Sequence, residues 1–266
     1  MPPMDFTEAQ IHRYARHILL QDVGGVGQKK LLKSKVLVVG AGGLGSPLIL
    51  YLAAAGVGTI GVVDDDTVDL SNLQRQIAHT TDRIGMEKTA SAKHAVAAIN
   101  PDVTVIEHKM RLNVDNATAL IGGYDVIADG SDNFPTRFLI NDACFFAKKT
   151  LVSAAVLRFD GQLSTFKPHA GGPCYRCIYP EAPPPGQIPS CDEAGVLGAV
   201  AGVLGTLQAT EVLKELLGIG QSMAARLLIY DALSAAMRQV KVNPDPACPL
   251  CSPKATITDL GVHRGT

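Results

Sequence analysis

In the first half of the chain, short apolar runs alternate with longer segments of helical periodicity. Lys35–Val39 and Thr59–Val63 are almost entirely apolar, which is typical of strands buried on both faces of a parallel sheet. Further strands are predicted at 103–107, 125–129 and 151–154, and helices at 6–20, 48–55, 71–79, 86–99 and 137–148. Strands that alternate with helices of this length predict an α/β fold, a Rossmann-like parallel sheet with helices on both faces.

The pattern changes in the second half of the chain. The segment 162–167 alternates between apolar and polar residues and predicts an antiparallel strand. A long loop at 168–191 follows, then a long helix at 195–217 and a final strand pair at 227–230 and 237–242. The parallel sheet is therefore expected to continue in antiparallel strands, and a loop of this length is usually functional.

Composition narrows the class of protein. The chain has 266 residues, of which 47% are hydrophobic and 18% charged, and this excludes global disorder. Its net charge is −1 and it contains no tryptophan, so we expect no nucleic-acid partner. The longest apolar stretch, Val196–Leu207, is shorter than the roughly 20 residues of a membrane span, and the start of the chain lacks the apolar core of a secretory signal. We therefore expect a cytoplasmic protein with no membrane contact and with reduced cysteines.

A glycine-rich turn joins the first predicted strand to the next helix. Gly40, Gly42, Gly43 and Gly45 lie where missing side chains let backbone N–H groups approach a phosphate. Asp64 ends the following strand, the place of a carboxylate that accepts hydrogen bonds from ribose hydroxyls. On its own the motif is typical of NAD or FAD binding, and glycines that serve only tight packing are the alternative. It is not a P-loop, because no Gly-Lys-Ser/Thr follows.

Two cationic residues follow the second predicted strand. Arg75 lies in the segment Ser71–Gln76, and Lys88 comes further along the same crossover. The β- and γ-phosphates of a nucleoside triphosphate require such a pair, because arginine binds phosphate through two N–H groups and lysine adds a point charge. A nicotinamide cofactor does not require it. The alternative is that both side chains lie on a solvated helix face.

A carboxylate-rich turn, Asp129-Gly-Ser-Asp132-Asn133, comes at the end of the strand predicted at 125–129, where ligands of open α/β sheets bind. A carboxylate beside a triphosphate is repelled unless Mg²⁺ lies between them. Asp132 is therefore a candidate Mg²⁺ ligand, and Asp129 is expected to cap or brace the loop. The alternative is that these residues serve only the turn.

Four cysteines form two C-x-x-C hooks, Cys174 with Cys177 and Cys248 with Cys251. Two such hooks supply the four thiolates of a closed, tetrahedral Zn²⁺ site. A site of this kind is structural, and it would join the long loop to the carboxyl-terminal part of the chain. A thioredoxin-like redox pair is the alternative.

The two remaining cysteines differ from each other. Cys191 lies between the long loop and the long helix, where a helix amino terminus favours a thiolate and the adjacent Asp192 and Glu193 oppose it. It is a candidate nucleophile whose ionisation the sequence leaves open. Cys144 is flanked by apolar residues in a predicted helix and is expected in the core.

Together, the segments GAGGLG, SNLQRQ, DGSDN, GPCYRC, CDEAG and CPLC resemble the MoeB/ThiF family, bacterial relatives of the ubiquitin-activating enzymes, over residues 6–252. The resemblance implies a homodimer built from a single adenylation domain over 1–266. Its nucleotide-binding part would span 6–156, and its second part, with the antiparallel strands, the crossover loop and the zinc site, would span 157–252. A tail at 253–266 would follow.

The resemblance also implies a reaction. ATP would adenylate the C-terminal glycine of a small ubiquitin-fold sulfur carrier that ends in Gly-Gly, releasing pyrophosphate and leaving an acyl-adenylate for sulfur transfer. The carrier expected first is the small subunit of molybdopterin synthase, in molybdenum cofactor biosynthesis, and the thiamin thiazole carrier is the alternative. Because the sequence stops shortly after the second cysteine hook, a separate sulfur donor of the cysteine desulfurase or rhodanese type is expected.

The matching motifs imply the site residues and the cofactors ATP, Mg²⁺ and Zn²⁺. The implied ATP ligands are Gly40, Gly42, Gly43, Gly45, Asp64, Asn72, Arg75, Lys88, Asp132 and Asn133. The implied catalytic residues are Arg16, Arg75, Lys88, Asp132 and Cys191. In the family, the arginine that matches Arg16 reaches the nucleotide from the other subunit, and the cysteine that matches Cys191 bonds covalently to the carrier in some members. The loop at 180–190 would cover the tail of the carrier.

Two interpretations from other functional classes stay open. A nicotinamide oxidoreductase with a zinc knuckle explains the glycine turn and Asp64, but it leaves Arg75, Lys88 and Asp132 without a role. A non-catalytic scaffold would use the zinc site and a dimer face to bind partners.

Overall fold

The computed structural model describes residues 6–184, 186–187 and 191–264, without the side chains of Cys191 and Asp192. One eight-stranded sheet, in the order β3-β2-β1-β4-β5-β6-β7-β8, runs through it. The strands are β1 (Lys35–Val39), β2 (Thr59–Val63), β3 (Thr104–His108), β4 (Val126–Asp129), β5 (Thr150–Leu157), β6 (Asp160–Phe166), β7 (Arg226–Asp231) and β8 (Ala236–Lys241). The α-helices are α1 (Glu8–Ile18), α2 (Gly24–Lys33), α3 (Gly45–Ala55), α4 (Lys88–Ile99), α5 (Ala117–Gly122), α6 (Phe134–Phe146), α7 (Cys191–Ala194) and α8 (Gly198–Leu217).

The sheet has a parallel part and an antiparallel part. Strands β3, β2, β1, β4 and β5 pair in parallel. From β5 onward the sheet continues through β6, β7 and β8 in antiparallel pairs. The predicted α/β fold with an antiparallel continuation is confirmed. The chain winds outward in both directions from β1 and β4, so their carboxyl ends form the switch point where open α/β sheets bind ligands.

Two apolar cores lie on opposite faces of the sheet. In β1, Val36 and Val38 pack in the core that contains α3 and α8, whereas Leu37 and Val39 pack in the core that contains α5 and α6. This division follows from the two-residue period of a strand, which sends successive side chains to opposite faces. Burial on both faces explains why the strand is a continuous apolar run.

The prediction of a helix at 71–79 is wrong. A short 3₁₀ turn, Leu70–Asn72, lies there and is followed by further turns. Asp69 accepts hydrogen bonds from the N–H and the hydroxyl of Ser71 at 2.8 and 2.6 Å. These bonds cap the turn and do not oppose a helix. However, Leu70 and Ile77 are exposed whereas Gln76 and His79 are buried, so the segment lacks the apolar face that stabilises a packed helix.

No helix in the described ranges combines the length and the apolar character that a membrane crossing requires.

Candidate active site

A cavity of about 960 Å³ opens at the carboxyl ends of β1 and β4, within the size range of small-molecule sites. Of the residues predicted to bind ATP, eight line it: Gly40, Gly42, Gly43, Asp64, Arg75, Lys88, Asp132 and Asn133. The structure therefore brings three separate sequence motifs to one cavity.

Three predicted site residues of the described chain lie elsewhere. Gly45 and Asn72 are not among the residues that line the cavity. Arg16 is exposed on α1 and is also outside it. Cys191 begins the short helix α7, and the position of its side chain is outside the description, as is part of the loop predicted at 180–190. The roles implied for these residues stay predictions.

The glycines of the turn fall into two groups: some are required by the backbone of the turn, and others border the cavity. Gly40 has a φ of +92°, and a Cβ on Gly45 would lie 1.9 Å from the carbonyl oxygen of Gly40, so these two shape the turn itself. Gly42 borders the cavity, and a Cβ there would meet only the side chain of Gln76, at 3.7 Å. Gly42 therefore leaves room for a ligand rather than for the packing of the protein.

Asp64 holds the turn from one side. Its Oδ2 accepts a hydrogen bond from the N–H of Ala41 at 2.7 Å, and its Oδ1 accepts one from the N–H of Asp66 at 2.9 Å. Burial raises the pKa of Asp64 although the backbone hydrogen bond from Ala41 and the charge of Lys88 lower it. Each carboxylate oxygen has a second lone pair, so the group can still accept a ribose hydroxyl.

His79 holds the same turn from the other side and was not predicted as a site residue. Its Nε2 lies 2.9 Å from the carbonyl oxygen of Ala41, and its Nδ1 lies 2.9 Å from the hydroxyl of Ser91. Because a carbonyl only accepts, Nε2 carries the proton and Nδ1 accepts from the serine. Burial lowers the pKa of His79, which keeps the ring neutral. Its position in a segment predicted as a helix hid this role.

The two predicted cations reach the cavity differently. Lys88 is only 6% exposed at the first position of α4, and its Nζ lies 2.8 Å from Oδ2 of the exposed Asp66. Arg75 donates from Nη1 to the carbonyl of Ser71 at 3.2 Å. The side-chain carbons of Arg75 lie against Gly43, where a Cβ would come within 3.5 Å of its Cγ. Both side chains border the space beside the glycine turn.

Asp129 braces the loop that carries Asp132. Its Oδ1 accepts hydrogen bonds from the N–H and the hydroxyl of Ser131 at 2.9 and 2.6 Å, and its Oδ2 accepts one from Ser153 at 2.7 Å. Asp132 is exposed at the rim of the cavity. Asn133 caps α6 by accepting a hydrogen bond from the N–H of Thr136 at 3.0 Å.

Arg137 also lines the cavity and was missed. It is buried, lies 3.5 Å from Asp129 and donates to the carbonyl of Ala154 at 2.8 Å. A buried arginine neutralises the charge of Asp129 and so stabilises the carboxylate where no solvent reaches it. A charged residue inside a largely apolar predicted helix was the only clue in the sequence.

Carboxylates on two sides of the cavity have the chemistry of a Mg²⁺ site. Oxygens of Asp64, Asp65 and Asp66 lie within 4.8 Å of one another, and Asp132 lies on another part of the lining. Hard oxygen donors are the ligands that Mg²⁺ prefers. These residues fit the ion predicted from the sequence.

The four cysteines of the two hooks come together. Their sulfurs lie within 4.8 Å of one another, with Cys174–Cys248 at 3.6 Å and Cys177–Cys251 at 3.4 Å. Four sulfurs about 2.3 Å from a tetrahedral Zn²⁺ would be separated by roughly 3.8 Å. Backbone N–H groups of Asp245 and Cys251 also point at the sulfurs of Cys177 and Cys248. The cluster therefore fits Zn²⁺. Cys144 is buried in the core, as predicted.

Relatives of known name span most of the chain. It is 47% identical over 261 residues to a Thermus thermophilus protein named sulfur carrier protein adenylyltransferase, covering 97% of this chain and 96% of the relative. It is 50% identical over 248 residues to the SAMP-activating enzyme E1 of Haloferax volcanii, covering 93% and 91%. The Mycobacterium tuberculosis protein named probable adenylyltransferase/sulfurtransferase MoeZ is 47% identical over 251 residues, which cover 93% of this chain and 64% of that relative.

Solved structures share the fold. The crystal structure of E. coli MccB with ATP matches with a TM-score of 0.78 at 20% identity, covering 95% of this chain and 77% of that one. The model of the ThiF family matches residues 14–250. The resemblance stated from the motifs is confirmed: the chain belongs to the ThiF family.

Proposed function

We propose that the chain is a nucleotidyltransferase that transfers AMP from ATP to the C-terminal carboxylate of a small ubiquitin-fold sulfur carrier. The observation that carries this proposal is the cavity at the switch point, where the glycine turn, Asp64, Arg75, Lys88 and Asp132 meet. Adenylyltransferase names among the relatives support the class of reaction. The molybdopterin synthase small subunit is the first candidate carrier, and the thiamin carrier is the second.

The residues of the cavity divide the work on ATP. Gly42 leaves space for phosphates beside the turn, Gly43 borders the same space, and Asp64 is placed to accept ribose hydroxyls. Arg75 and Lys88 stabilise the charge that builds on the leaving pyrophosphate, so catalysis is positioning plus electrostatics and requires no protein nucleophile. Asp132 would hold Mg²⁺, which neutralises phosphate charge when it is bound.

The carrier tail would enter from the side of the cavity lined by Tyr179, Glu181 and Gln187. A tail that ends in Gly-Gly fits a narrow channel because it lacks side chains. The enzyme is proposed to work in the cytoplasm as a homodimer, in which Arg16 reaches the nucleotide of the other subunit and a separate protein delivers sulfur. The four cysteines would hold a structural Zn²⁺.

ATP–pyrophosphate exchange tests the proposal. The purified chain with Mg²⁺ and ATP is assayed with each candidate carrier, both intact and without its terminal Gly-Gly. We expect exchange only with an intact carrier, and loss of exchange in Asp132→Asn, whose fold should be unchanged because the side chain is exposed. Absence of exchange with every carrier would contradict the proposal, and nicotinamide binding in its place would favour the oxidoreductase interpretation.

A further inference from the structure

The end of the described chain folds back onto α6. Residues Leu260–His263 form a 3₁₀ turn that begins with Asp259 accepting a hydrogen bond from the N–H of Gly261 at 2.7 Å. Leu260 packs in the core that contains Phe138 and Leu139 of α6. His263 is only 8% exposed. The segment is thus held by apolar packing as well as by hydrogen bonds.

His263 ends on a fully buried carboxylate. Its Nε2 lies 2.8 Å from Oδ2 of Asp142, which is 0% exposed. Arg176 donates to both oxygens of the same carboxylate, with Nε 2.8 Å from Oδ1 and Nη2 2.8 Å from Oδ2. Burial raises the pKa of Asp142, but the hydrogen bonds from His263 and Arg176 outweigh it and the pKa lies below its usual value. Asp142, which lies on α6, is therefore the charged group that connects the tail to Arg176.

Arg176 carries this connection to the cavity wall. Its guanidinium lies over the ring of Phe138, 4.7 Å from the centroid, and its Nη1 donates to the carbonyl oxygen of Pro180 at 3.0 Å. Pro180 directly precedes Glu181 and Ala182, which line the cavity. A planar guanidinium held at three points has a fixed orientation, so the carbonyl that it binds is fixed as well.

We infer that the tail is a positioning element for the carrier: His263 orients Asp142 and Arg176, and Arg176 holds the cavity wall at Pro180 where the carrier tail enters. The inference rests on the proposed function. His263 is not among the residues that line the cavity. Loss of its hydrogen bond should weaken binding of the carrier and leave binding of ATP unchanged.

A matched pair of variants tests this positioning role. In His263→Gln the amide Nε2 can still donate to Asp142, whereas the shorter side chain of His263→Asn keeps the polarity and does not reach. We expect the KM for the carrier to rise about tenfold in the asparagine variant, the effect of one lost hydrogen bond to a charged group. The glutamine variant should stay within about twofold of wild type. Arg264→Ala, whose side chain is exposed, is the control.

Hydrogen exchange provides a readout that is independent of activity. We expect faster exchange of the four amides at 178, 179, 181 and 182 in His263→Asn than in His263→Gln, with unchanged exchange in β1 and the glycine turn. Equal exchange of these four amides in the two variants would overturn the inference. An equal rise of the KM for ATP and for the carrier would overturn it as well, because it would indicate general loosening. If the wild-type chain activates no carrier, the proposed function fails, and the exchange comparison alone then decides whether the tail holds the wall.

Discussion

The two sides of the cavity are built in different ways. On the nucleotide side, Lys88 bonds with Asp66 across 22 positions and His79 with Ala41 across 38, and other bonds are shorter in sequence, such as the 2 positions between Asp64 and Asp66. On the side proposed for the carrier, the contacts span 34 positions between Arg176 and Asp142, 74 between Cys174 and Cys248, and 121 between His263 and Asp142. The parallel sheet supports the first side, whereas a cysteine cluster and a returning tail hold the second. A substitution on one side of the cavity should therefore impair that side and leave the other side intact.

The largest effect is expected from a substitution in the cysteine cluster. Cys174→Ser should lose zinc and thermal stability together, because structural zinc contributes on the order of 10 kcal/mol of apparent binding free energy. Zinc content and calorimetric unfolding measure both effects. Cys191→Ala, outside the cluster, is the control and should keep its zinc and its pyrophosphate exchange. A folded, zinc-replete Cys174→Ser variant would contradict the structural role.

Loss of Arg75 should damage the nucleotide side alone. Arg75→Ala should lower ATP–pyrophosphate exchange by about 100-fold or more, the usual effect of removing one group that stabilises transition-state charge. Circular dichroism and zinc content should be unchanged. Lys93→Ala, which removes an exposed cation paired with Glu107, should exchange normally. Normal exchange in Arg75→Ala would remove this arginine from the site.

Two glycines of the same turn should respond differently to alanine. Gly45→Ala places a methyl group against the carbonyl of Gly40 and should destabilise the protein by about 1–3 kcal/mol, as overpacking does. Gly42→Ala meets only the flexible Gln76, so it should unfold like wild type and raise the KM for ATP. Thermal denaturation and steady-state exchange separate the two effects. Equal loss of stability in both variants would show that Gly42 also serves packing.

The smallest effect is a pH dependence of stability from His79. Because burial lowers its pKa below the ordinary value of 6.5, the unfolded chain binds this proton more readily than the folded chain. The free energy of unfolding should therefore fall as the pH decreases below about 6.5. His79→Gln retains a donor for Ala41 and should show a shallower dependence in thermal unfolding between pH 7.5 and 5.5. Part of the slope should persist, because burial also lowers the pKa of His108 and His169.

Sequence patterns predicted the nucleotide side well because its strands and its glycine turn are each encoded by a short continuous segment. The strands Lys35–Val39 and Thr59–Val63 were predicted with their observed bounds, since burial on both faces requires continuous apolar runs. The antiparallel strand at Asp160–Phe166 was found from its alternation. The prediction of a helix at 71–79 was wrong because Ile77 is exposed whereas Gln76 and His79 are buried, so the segment has no apolar face to pack. Gln28 and Leu31 are buried in α2, a helix that the glycine-rich start at Gly24 concealed.

The chain's order of residues alone was enough to specify the α/β class, the switch-point motifs, the paired cysteine hooks and membership of the ThiF family. It did not reveal that His79 grips the glycine turn, that Arg137 neutralises Asp129, or that His263 reaches back to Asp142. Periodicity and short motifs record interactions between neighbours along the chain. Contacts between residues that are far apart in the sequence depend on how the helices and loops pack. The identity of a single histidine or arginine does not indicate which distant residue it will contact.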